Sequence, residues 1–70
     1  MQNFEKELID IVNSFNSGDT KNSLKKISLL LNKDNNNIEL NRVNGQMAFK
    51  QGDLDAALVS FKKVILKVKN

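Results

Sequence analysis

The chain contains no cysteine, histidine, proline, tryptophan or tyrosine. Without cysteine, neither a disulfide framework nor a thiolate metal site can supplement the core, and without histidine the commonest nitrogen ligand is also missing. The same two absences remove the usual catalytic bases and nucleophiles. Glycine is limited to Gly18, Gly45 and Gly52, which form no phosphate-binding loop. The eight carboxylates are dispersed, and Ser28 and Ser60 have no neighbouring base. No enzyme, cofactor or metal is therefore expected. No apolar run approaches the roughly 18 residues needed to cross a bilayer, so no membrane partner is expected. The segment Met1 to Asp10 carries Glu5, Glu7 and Asp10 where a secretion signal would be basic and then apolar. A cytoplasmic protein is the expectation, with Met1 as its natural start.

A chain of 70 residues makes one domain. At that size it buries only about 60% of the surface its unfolded chain exposes, so helix packing or self-association has to supply the margin of stability. A composition 40% hydrophobic and 27% charged is that of a folded domain, not a linker. The run Asn35, Asn36, Asn37 lies between two periodic segments and reads as a turn.

Apolar spacing predicts four helices. Helix one runs from about Asn3 to Ser17, with Phe4, Leu8, Ile11, Val12 and Phe15 on one stripe. Helix two runs from about Thr20 to Lys33, with Leu24, Ile27, Leu30 and Leu31 inward and Lys33 at its negative end. Helix three runs from about Ile38 to Gln51, and Asn36 with Glu39 has capping-box spacing at its start. Helix four runs from about Leu54 to Val68 and turns Leu54, Ala57, Leu58, Phe61, Val64, Ile65 and Val68 to the core as one broad face. Gly18 and Gly52 stop helices one and three, and Asp19 and Asp53 are expected to cap helices two and four. Both turns are short, so each pair of helices lies antiparallel.

The chain also repeats itself. Gly18-Asp19 returns as Gly52-Asp53, 34 residues later. In the same register Glu5 meets Glu39, Phe15 meets Phe49, Leu24 meets Leu58 and Lys33 meets Lys67. Such a period marks a helix-turn-helix unit whose apolar face is covered when the next unit stacks on it.

The stretch Gly45-Gln46-Met47-Ala48-Phe49-Lys50-Gln51-Gly52-Asp53-Leu54-Asp55-Ala56-Ala57-Leu58, followed by Phe61, resembles the tetratricopeptide repeat family. The signature positions matched are the small residue Gly45, the turn Gly52-Asp53, and Ala57 with Phe61. Repeat two, over about residues 36–70, matches well; repeat one, over about residues 2–35, keeps Gly18, Asp19 and Leu24 but has Ser23, Ile27 and Asn35 where the family prefers alanine, an aromatic and proline. The resemblance implies an all-α fold of two helical hairpins stacked as a short solenoid. It also places Glu7, Asp10, Ser14, Asn41 and Asn44 at core-facing positions, where an unpartnered polar group costs about 1 to 3 kcal/mol. Helix one fits better rotated by about one residue, which leaves its polar side wet.

Members of the family bind peptides or helices in a concave groove lined by the first helix of each repeat. The equivalent residues here are Leu8, Val12, Phe15 and Asn16 with Glu39, Arg42, Gln46, Phe49 and Lys50. The lysine, arginine and asparagine that grip a C-terminal carboxylate in the family are absent, since Leu8, Val12 and Val43 stand in their places. A protein-interaction module with another protein or peptide as partner is the resulting expectation.

Helix four suggests self-association as well. Val59 and Leu66 lie seven residues apart on a second side of it, among Lys62, Lys63 and Lys69, and Leu29 is a similar outlier on helix two. Isolated surface apolar residues are common. The alternative is that helix four packs against a copy of itself, as a homodimer or larger oligomer, or against another protein. Finally, the net charge of +3 is uneven, with Lys21, Lys25, Lys26 and Lys33 on helix two and Lys62, Lys63, Lys67 and Lys69 on helix four. A basic outer face can attract nucleic acid or an acidic partner. The lack of tryptophan and tyrosine, the single arginine and the missing recognition motifs argue against nucleic acid.

Overall fold

The structure, a computed structural model, describes residues 4–68, with side chains as far as Lys67. The expected helix start at Asn3, the readings placed on Met1 and Lys69, and the inward Val68 side chain lie outside the described residues. Helices α1 (Glu5–Asn16), α2 (Thr20–Lys33), α3 (Ile38–Lys50) and α4 (Leu54–Val68) account for nearly all of the chain. No strand occurs among the described residues, so the fold is all-α.

The two hairpin turns are built alike, because glycine can take the left-handed conformation that ends a helix. Gly18 has φ 100° and Gly52 has φ 81°. After α1, the Gly18 N–H donates to the Phe15 carbonyl at 3.1 Å and the Asp19 N–H to the Ser14 carbonyl at 2.9 Å. After α3, the Gly52 N–H donates to Phe49 at 3.0 Å and the Asp53 N–H to Ala48 at 2.9 Å. These are the paired bonds of a Schellman motif, and every donor and acceptor recurs 34 positions on.

The caps correct two expectations. Asp53 does cap α4, its carboxylate accepting from the Ala56 N–H at 3.2 Å. Asp19 does not cap α2 with its side chain. Its backbone, at φ −86° and ψ 61°, lies outside the extended region from which a cap side chain folds over the first N–H groups. The carboxylate instead accepts from the Asn22 amide at 3.2 Å. At α3 the cap is Asn37, not Asn36, and it accepts from the Leu40 N–H at 3.0 Å. Glu39 pairs with Arg42 and not with the helix start.

Within each hairpin α1 packs on α2 and α3 on α4, and α3 also meets both α1 and α2. The core joins Phe4 to Leu8, Ile11 and Phe15 of α1, Ile27 and Leu30 of α2, and Leu40 and Met47 of α3, with Leu24, Leu31 and Val43 packed on it. Helix α4 adds nothing to that cluster. Among the described residues it packs on no helix but α3, burying Ala57 and Ser60.

The polar residues at core-facing positions are accommodated in two ways. In α1, the buried residues are the apolar stripe, while Glu7 and Asp10 are exposed. Leu8 and Phe15 precede the buried Asn41 and Ala48 of α3 by 33 residues, whereas the buried Ile11 and Gly45 are 34 apart. In α3, the polar groups are buried, as Asn41, or half-buried, as Asn44, and both have partners. Asn41, 2% exposed, donates both amide hydrogens, to the Asn35 carbonyl at 2.9 Å and the Asn37 carbonyl at 2.8 Å. Asn44 donates to the Ser60 hydroxyl at 2.8 Å, across to α4. In α2, the Ser23 hydroxyl donates to the Asp19 carbonyl at 2.7 Å. No buried side-chain nitrogen or oxygen among the described residues lacks a partner. No described helix is long and apolar enough to cross a membrane.

Candidate functional site

Helix α4 departs most from the sequence expectation. Of the broad face predicted to point inward, only Ala57 is buried, and Phe61 and Val64 are half-buried. Leu54, Leu58 and Ile65 are 58%, 62% and 61% exposed. The reason lies in the neighbours. The equivalent residues one repeat earlier include Leu24, Ile27 and Leu31, which belong to the core shared by α1, α2 and α3. Helix α4 has α3 on one side and no second helix among the described residues. A single neighbour covers a narrow arc of a helix, and the rest of the apolar face stays in water.

Three uncovered residues and the half-buried Phe61, whose ring rests against Gly45, form a stripe. Leu54, Leu58, Phe61 and Ile65 follow one another at intervals of four, three and four, the spacing of a two-helix seam. Phe49 extends the patch onto α3. It is 62% exposed, although its counterpart Phe15 is buried, and it lines an open hollow with Gln46, Lys50 and Phe61. Val59 and Leu66 are exposed on a further side of α4. Of the lysines placed beside them, Lys62 is exposed, whereas the Lys63 ammonium donates to the Asn35 side chain at 2.7 Å. Lys67 likewise donates to the Asn36 carbonyl at 3.2 Å. Two lysines of α4 thus hold the loop between α2 and α3.

The groove expected along the first helices is divided. Val12, Phe15 and Asn16 of α1 do meet Gln46 and Lys50 of α3, together with Val43 and Met47. The cleft they line holds about 40 Å³, far below the roughly 300 Å³ of small-molecule sites. Leu8 is a correction: it faces the core and is buried, because the stripe that packs α1 runs through it. Glu39 and Arg42 are exposed and paired with each other. Phe49 belongs to the hollow with Phe61 and not to this cleft.

Sequence reading missed Leu54, Leu58 and Ile65 as surface residues by placing them in the core. The signal that finds them is the register itself, since α2 owes part of its cover to α3 and α4 has no equivalent neighbour among the described residues. No family model, curated protein or solved structure matches the chain.

Proposed function

We propose that the chain is a protein-interaction module built of two tetratricopeptide-like hairpins, and that its docking surface is the uncovered apolar face of α4. One observation carries this: among the described residues α4 packs on no helix but α3, and Leu54, Leu58 and Ile65 are left more than half exposed in a row. A contiguous apolar patch of that kind marks a surface that meets another protein. The repeat reading is supported by the matching bonds of the two turns and by Gly45, whose missing side chain admits the Phe61 ring.

A photo-crosslinking residue in place of Leu58 is expected to form polypeptide adducts in cells, and one in place of Lys25, on the exposed face of α2, is not. Adducts confined to position 25 would contradict the proposal, and nucleic-acid adducts there would favour binding through the lysine-rich face.

A further inference from the structure

Resting on the reading of α4 as a docking surface, we infer that its occupant is a second copy of this chain, whose α4 packs antiparallel on the first across a two-fold axis. In heptad terms Leu54 and Phe61 stand at d and Leu58 and Ile65 at a. An antiparallel pair centred between Leu58 and Phe61 sets Leu58 against Phe61 of the second copy and Leu54 against Ile65. Both layers are then filled, at four contacts related by symmetry.

The charges choose the orientation. Asp55 and Lys62, both exposed, occupy the two e positions beside the seam. The g positions are Ala57 and Val64, which carry no charge and lie toward α3. In a parallel pair e faces g, and neither charge meets an opposite one. In an antiparallel pair e faces e, so Asp55 of each copy reaches Lys62 of the other. Opposed helix dipoles favour the same orientation.

The second copy is favoured over an open stack by the surface of α1. A head-to-tail array would seat α1 of one copy on α4 of the next. Yet α1 exposes a single large apolar residue, Ile9, in a hollow shared with Glu5, Lys6 and Glu7. Carboxylates and an ammonium would lie over Leu54, Leu58 and Ile65, desolvated and without apolar partners. The two-fold pairing buries like against like and closes.

Sedimentation equilibrium of the 70-residue chain tests this. The expected mass is twice the chain mass of 7.9 kDa. Asp55→Lys and Lys62→Asp, both at exposed sites, should each weaken the dimer about tenfold, since two symmetric pairs turn repulsive, with helicity by circular dichroism showing that each variant is folded. The double exchange, Asp55→Lys with Lys62→Asp, should return the dissociation constant to within about threefold of the parent. A monomer at every concentration overturns the inference, and polypeptide adducts from position 58 would then leave the docking surface standing with a different partner. A dimer indifferent to the single charge changes, or one not restored by the double exchange, also overturns it.

Discussion

Gly45 of α3 and Phe61 of α4 are in contact so close that a Cβ at position 45 would lie 2.6 Å from the ring's Cε1 and 2.8 Å from Cδ1. Glycine inside a helix costs up to about 1 kcal/mol relative to alanine. Its presence here is explained by the aromatic ring that α4 lays against α3. The contact matters because, among the described residues, α4 rests on no helix but α3.

Gly45→Ala should therefore destabilise the fold despite the better helix propensity of alanine, by about 1 to 2 kcal/mol, because a rigid ring has to move. Phe61→Leu in the same chain should remove part of that penalty. Thermal melts of the two single variants and the double variant check this, and additive losses would show that the two residues are not coupled.

Asn41→Leu should cost about 1 to 3 kcal/mol in urea unfolding, although it makes the core more apolar. The amide binds the Asn35 and Asn37 carbonyls, so its loss frees the loop between α2 and α3. An unchanged midpoint would mean that water replaces the amide without cost.

Asp53→Ala should lower stability by about 1 kcal/mol, whereas Asp19→Ala should change it by a few tenths. The two residues are equivalent in the repeat, but only Asp53 accepts from a helix N–H. Equal effects on the melting temperature would show that both carboxylates cap.

Gly18→Ala and Gly52→Ala should each cost about 1 kcal/mol, since both glycines hold positive φ in open space and the penalty is conformational alone. Asparagine at either site should be better tolerated than alanine, and chemical denaturation of the four variants orders them.

The helices were legible because their stops and spacings are local. Gly18, Gly52 and the apolar periods place α2 and α4 at their observed bounds. What covers each face was harder to read. Periodicity says which residues share a side of a helix and nothing about the neighbour on that side. Leu24 and Leu58 are the same residue in the same repeat position, yet Leu24 packs on the core and Leu58 stands in water. Phe15 and Phe49 divide in the same way. The α3 cap moved from Asn36 to Asn37 because three successive asparagines offer the same side chain, and backbone conformation selects among them. The buried Asn41 looked like a penalty because its acceptors are loop carbonyls, which side-chain patterns do not display.

The most direct measurement is an isotope-filtered NOE spectrum of a sample mixed from labelled and unlabelled chains. Cross-peaks between the Leu58 methyls of one copy and the Phe61 ring of the other, with Leu54 meeting Ile65, are the predicted result. Intermolecular peaks that involve only α1 or α2, or none at any concentration, would contradict docking of a second copy on α4.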